Sequence, residues 1–187
     1  MYLAAPREGE EGCLAFRRAR DELFLTHPQS ALTAEQKERT EALPYFPYDP
    51  LARVETSLEP LPSDGSSLIT IDTGGEDGTI SYRRLGRLVT PYGTLTLLWM
   101  PGYAGGLFLP FRDGTSGRET YGGGRYLTDT IKGTYGRGVV VQGKAVTLDF
   151  NYAYNPSCAY SHRVLCPLAP VENTLAAAVR AGELTYP

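Results

Sequence analysis

Thr79–Met100 reads TISYRRLGRLVTPYGTLTLLWM. Thr79–Leu88 and Gly93–Met100 are strand-length runs with a period of two, and Pro91-Tyr92-Gly93 between them is a turn signal. The stretch therefore predicts two strands folded back on one another. The same period holds outward from this pair. From Leu51 onward the further candidate strands are Ala52–Leu58, Ser67–Asp72, Leu107–Phe111, Arg125–Lys132, Gly138–Gln142 and Lys144–Asn151. Gly74-Gly75-Glu76-Asp77-Gly78 and Gln142-Gly143 supply further turns. Many short strands linked by turns predict a mainly β chain of the α+β kind, with an antiparallel sheet arranged as a barrel-like body or a sandwich.

The ends of the chain read as helices. In Glu10–Thr26, Cys13, Phe16, Leu23 and Phe24 fall on one stripe, with Arg17, Arg18, Asp21 and Glu22 mostly outside it. His27-Pro28 stops this helix. Thr33-Ala34-Glu35-Gln36 has the form of a capping box and opens a short helix over Ala34–Ala42. Three prolines between Pro44 and Pro50 force an extended segment. After Pro170, Val171–Ala181 predicts a C-terminal packing helix capped by Gly182. No repeat or low-complexity linker interrupts the chain, so residues 1–187 read as a single domain. It has a helical N-terminal segment (1–50), a β body (51–168) and a C-terminal helix and tail (169–187).

Composition narrows the function. The chain has 187 residues, 42% hydrophobic and 21% charged, as an ordinary globular domain has. A net charge of −3 argues against general nucleic-acid or anionic-membrane binding, which need a basic face. The start lacks the features of a secretion signal, and the longest apolar run, Leu95–Met100, is strand-sized. Three scattered cysteines make no disulfide framework. The expected location is the cytoplasm, with thiols reduced.

Chemistry concentrates in Leu107–Cys166. On the strand Lys144–Asn151, Val146, Leu148 and Phe150 share one face; Thr147, Asp149 and Asn151 share the other. A buried Asp149 needs a cation or several donors, and Arg112, Arg118 and Arg125 are close in sequence. Glu119 and Tyr121 align with each other if Arg118–Tyr121 is extended. The cluster reads either as a pocket for a polar or anionic small molecule or as a structural network. The glycine-rich runs Gly117–Gly124 and Gly133–Gly138 lack the Lys-Ser/Thr of a phosphate loop and do not open a helix after a strand. They read as tight turns or as an anion-binding nest.

Cys158, His162 and Cys166 form C-x3-H-x3-C, one ligand short of a structural zinc site. The pattern reads first as buried structural cysteines and otherwise as a metal site or a reactive thiol. Only two histidines exist, so a multi-histidine metal centre is excluded by count. A serine triad would have to run through His162, and there is no G-x-S-x-G elbow.

Long, unusual segments carry a resemblance. TSGRETYGGGRYL (115–127), LDFNYAYNPSCAY (148–160) and CPLAPVENTLAAAVRAGE (166–183), with THPQSAL (26–32) and LPYFPYDPLARVE (43–55), resemble the bacterial and archaeal family catalogued as domain of unknown function 1684. The common family form has Pro-Pro before the Glu-Asn; here the residues are Ala169-Pro170-Val171. The resemblance implies relatedness and brings no activity, cofactor or catalytic residue.

The leading expectation is a small-molecule-binding domain without a cofactor. Its ligand-binding residues are expected to be Arg112, Asp113, Ser116, Glu119, Tyr121, Arg125, Asp149, Asn151, Tyr154 and Asn155, all lining one cavity. The alternatives are an enzyme using Asp149 or Glu119 as general base in the same pocket, and an interaction module with a tyrosine-rich surface.

Overall fold

The structure, a computed structural model, describes residues 9–61, 67–73, 78–101, 105–129 and 137–187. Among these residues two α-helices precede a sheet of eight antiparallel strands. The helices are α1 (Gly9–Thr26) and α2 (Ala34–Arg39). The strands are β1 (Arg53–Glu59), β2 (Leu68–Asp72), β3 (Thr79–Thr90), β4 (Gly93–Met100), β5 (Gly106–Phe111), β6 (Arg125–Asp129), β7 (Val139–Gln142) and β8 (Ala145–Asp149). Every predicted strand is present, with its ends shifted by a residue or two where described. Positions 130–132 of the predicted Arg125–Lys132 strand and most of the two glycine turns at 74–78 and 133–138 lie outside the described residues.

The strand order is β6-β5-β4-β3-β1-β8-β7, with β2 paired to the outer half of β3. Bulges between Arg84 and Gly86 and between Leu109 and Pro110 bend the sheet. Its two ends approach where β7 begins, and a Cβ on Gly138 would run into the Leu127 carbonyl. The choice between barrel and sandwich is thereby settled: the sheet is a nearly closed, barrel-like body.

Alternation puts two different surfaces on the strands. Val54, Leu88, Leu95, Leu97, Leu107, Leu109, Phe111, Leu127, Val139, Val146 and Leu148 fill the interior. Ile71, Tyr82, Leu98, Phe108, Tyr126 and Tyr154 form a second core on the outer side, where Phe16 of α1 packs. A third cluster, Phe24, Leu32, Leu43 and Tyr160, joins α1 to the segments beside it.

Two predicted elements need correction. In α1 the buried side is Cys13, Arg17, Arg20 and Phe24, while Leu23 is exposed. The helix docks on polar backbone rather than on a purely apolar face: Cys13 Sγ and Arg17 Nη2 both donate to the Asn151 carbonyl, at 3.4 and 3.2 Å. Helix α2 has the predicted capping box of Thr33 and Gln36, and ends at Arg39 because Thr40 is extended.

The larger correction is at the C-terminus. Of Val171–Ala181, Val171–Asn173 forms one turn of 3-10 helix, and the rest is an irregular strap. The Asn173 side chain donates to the carbonyls of Thr96 (3.0 Å) and Pro110 (2.8 Å) and accepts from the Thr96 N–H (2.7 Å). The Arg112 N–H then donates to the Asn173 carbonyl, and the Arg112 carbonyl accepts from the Leu175 N–H, strand-like bonds that hold the strap. The carbonyls of Val179 and Ala181 accept from the buried Arg125 guanidinium. Leu175 and Val179 still bury themselves in the interior core. Gly182 turns the chain at φ +80°, where a Cβ would lie 2.6 Å from the Ala153 carbonyl oxygen.

Candidate ligand site

The strap divides the barrel into two unlike ends. At one end Leu175, Val179 and Phe150 join Leu95 and Phe111 and fill the interior. At the other end lie the last residues of β1, β4 and β7 and the first of β5, together with the bulged part of β3. There the interior is open. A cavity of about 460 Å3 is lined by Leu58, Leu85, Leu97, Trp99, Gly105, Gly106, Leu107 and Val141. Its volume lies in the range of small-molecule sites.

Register explains the cavity. Leu97 and Trp99 are two apart on β4 and so face the same way, toward the interior. Trp99 pairs with Leu107, and Leu97 pairs with Gly86. Gly86 carries no side chain at a place where a Cβ would lie 2.8 Å from Leu58 Cδ1, so this wall is thin and β3 can bulge beside it. The bulge places Leu85, Gly86 and Leu88 along the interior side. Trp99 closes the rim at 37% exposure. It is the chain's single tryptophan.

The ten residues expected to share one pocket take other positions. Arg125 and Asp113 form a fully buried ion pair at 2.7 Å, with both side chains at 0% exposure. Arg125 also donates to the carbonyls of Val179 (2.9 Å) and Ala181. Asp113 accepts from the Thr115 N–H and hydroxyl, and Ser116 Oγ accepts from the Asp113 N–H. Glu119 pairs with Arg180 at the surface, at 3.0 Å. Arg112 is exposed, and its backbone holds the strap. Tyr121 donates to Cys158 Sγ at 3.7 Å, and burial pushes its phenol up to about 12.

Asp149 and Asn151 are held together, as their spacing suggested, but with other partners. Asp149 Oδ1 accepts from the Asn151 N–H (3.0 Å) and side-chain amide (2.9 Å). Asn151 also spans the Asp49 backbone, donating to its carbonyl at 2.7 Å and accepting from its N–H at 2.9 Å. Desolvation raises the Asp149 carboxyl above its usual value. The Asn151 hydrogen bonds oppose that, and the more distant Arg53 and Arg17 oppose it less. In place of one of the nearby arginines, the donors to Asp149 are one backbone amide and one side-chain amide, both of Asn151. Tyr154 lies under the Arg20 guanidinium, 4.8 Å from the ring centre. Asn155 donates to the Leu184 carbonyl, and its N–H to Glu183. Glu183, wholly buried, also accepts from Arg20 (3.0 Å) and Tyr160.

Most of the expected residues therefore belong to internal networks, Arg112 and Glu119 lie at the surface, and none of the ten lines the cavity. The residues that do line it passed unnoticed in the sequence as ordinary strand leucines. The available signal was Trp99, a large aromatic placed on the core face at the very end of a strand.

Cys158 and Cys166 lie together, with the Cys158 N–H 3.4 Å from Cys166 Sγ. Contact with Cys166 and burial both raise the Cys158 thiol, and burial pushes Cys13 up to about 11. All three cysteines are thiols, and His162 is exposed. Among the described residues no three His, Cys, Asp or Glu side chains gather as metal ligands. Among the same residues no helix is long and apolar enough to cross a membrane.

Comparison with known proteins places the chain. A search of curated proteins finds no match. The solution NMR structure of an uncharacterised protein of Haloarcula marismortui is 34% identical over 94% of each chain, with a TM-score of 0.64. The profile of the family described as Protein of unknown function (DUF1684) matches residues 38–184. That span takes in the buried Arg125–Asp113 pair, the Asp149–Asn151 turn and the strap anchored by Asn173. By these motifs and this match, the chain belongs to the DUF1684 family.

Proposed function

We propose that this domain binds a small, largely apolar molecule in the open end of its barrel. The observation that carries the reading is the cavity of about 460 Å3 walled by Leu58, Leu85, Leu97, Trp99, Leu107 and Val141. Small-molecule sites are typically apolar concavities of this size. The polar cluster supports a binder at this end by elimination. Arg125, Asp113, Asp149, Asn151 and Asn155 are buried and direct their hydrogen bonds to groups inside the protein, away from this end. For the same reason Asp149 and Glu119 are poorly placed as general bases: one is buried against Asn151, the other paired with Arg180. Tyr82, Tyr126, Tyr152, Tyr154 and Tyr160 are buried, which removes them from any tyrosine-rich docking surface.

The test is native mass spectrometry of the purified protein, beside solvent extraction of the same sample. The reading expects a co-purifying apolar compound, or uptake of one added apolar molecule per chain. Val141→Phe, which fills a half-buried wall position, should reduce that occupancy at least fivefold while the protein stays folded. Equal occupancy in the parent and the filled variant would place any ligand elsewhere.

A further inference from the structure

We infer that the ligand of this cavity is an amphiphile with one anionic head, of the carboxylate type, held at the rim by Arg83 and assisted by Lys144. The inference rests on the binding role proposed above and names the class of molecule that fits it.

Cross-strand register builds the rim. Leu68 pairs with Arg83, Arg83 with Trp99, and Trp99 with Leu107. Directly opposed residues of antiparallel strands project to the same face. Leu68, Arg83, Trp99 and Leu107 therefore form one row on the cavity side of the sheet. Along it exposure falls from Leu68 at 58% through Trp99 at 37% to Leu107 at 8%. The row passes from solvent to the cavity floor, with a guanidinium near its outer end. Across the opening the β7–β8 turn brings Lys144, whose carbonyl accepts from the N–H of the lining residue Leu58 at 2.8 Å.

The charges at this end are uneven. Arg83 and Lys144 are exposed, and neither is among the side chains drawn into the described ion pairs. The nearest rim carboxylate on β1, Glu59, alternates to the opposite face from Leu58 and pairs there with Arg87 at 3.6 Å. Arg84, next to Arg83, faces away and is held by both oxygens of Glu172 at 2.8–3.1 Å. Among the described residues the lining of the cavity contains no acidic side chain. An apolar chamber with two cations at its lip that form no ion pair among the described residues complements a molecule with an apolar body and a single negative head. Guanidinium in particular matches the two oxygens of a carboxylate.

Three ten-carbon probes, decanoate, decanol and decyltrimethylammonium, separate body from head. Binding is read from Trp99 emission and checked by calorimetry. Decanoate should bind about threefold to tenfold more tightly than decanol, the range of a partly exposed charge-assisted contact, and the cation should bind weakest. Arg83→Gln, at an exposed position, should bring decanoate to within about twofold of decanol, and Arg83→Gln/Lys144→Gln should erase the preference. Acetate at the same concentrations should leave Trp99 unchanged, since the body supplies most of the affinity. Decanol binding as tightly as decanoate, or a preference that survives in the double variant, would overturn the head-group assignment and leave the apolar site standing. Failure of all three probes to bind the folded protein would overturn both.

Discussion

Asp149 shows how burial decides the meaning of a charged residue. Among the described residues its carboxyl is hydrogen-bonded by Asn151, and desolvation raises it above the ordinary value of 3.8. A carboxyl with a raised folded-state pKa favours folding fully below its unfolded value, and that contribution is lost as pH rises through the folded pKa. Asp149→Asn keeps an acceptor for Asn151 and has no charge to desolvate. It should be at least as stable as the parent at about pH 7.5, with the difference shrinking toward about pH 4 as the parent's carboxyl takes up its proton. Asp149→Ala strands both Asn151 donors and should lose on the order of 2 kcal/mol at either pH. Urea denaturation of the three proteins measures this. A difference between Asn variant and parent that stayed constant with pH would contradict the raised carboxyl. In the sequence, the alternation of Val146, Leu148 and Phe150 made the sharing of one face by Asp149 and Asn151 legible. Their partner could not be read there, because Asp49 lies a hundred residues away and meets them only in the fold.

At the scale of elements, the strands were readable and the C-terminal strap was not. Alternation reports burial directly, so β1 to β8 follow from period-two patterns with ends shifted only slightly. The alanine-rich run Leu175–Ala181 carries a strong local helix preference worth only tenths of a kcal/mol per residue. Against it stand the three hydrogen bonds of Asn173 and those of buried Arg125, each worth about 1 kcal/mol or more, and these win. Two ion pairs from one motif should then behave differently. Arg125→Ala leaves Asp113 charged and unpaired in the interior and should cost about 3–5 kcal/mol. Glu119→Ala removes an exposed partner of Arg180 and should stay within about 0.5 kcal/mol of the parent. Asn173→Ala, which orphans Thr96 and Pro110, should fall between them at on the order of 2–3 kcal/mol. Thermal or chemical denaturation gives all three. An Arg125 variant as stable as the Glu119 variant would mean that the buried pair does not hold the strap.

At the scale of the whole molecule, the proposed site lies at the barrel's open end and not in the polar motif. Among the described residues of 107–166, Asp113, Arg125, Asn151, Asn155 and Tyr160 fasten α1, the strap and the barrel to one another. These networks run through Arg17, Arg20, Arg125 and Glu183. The cavity was hidden in the sequence because it is made of strand ends. Leu58, Leu97, Leu107 and Val141 look like any core residues until the sheet curls and the strap fills only one end. Trp99 offers the most direct check on this account, since the chain's one tryptophan sits in the wall of the proposed site. The measurement is energy transfer from Trp99 to N-phenyl-1-naphthylamine, a neutral apolar dye, titrated into the parent protein and into Val141→Phe. The account predicts saturable quenching of Trp99 with one dye per chain in the parent, and at least fivefold weaker binding in the filled variant. A dye that binds without quenching Trp99, or binds both proteins alike, would contradict it.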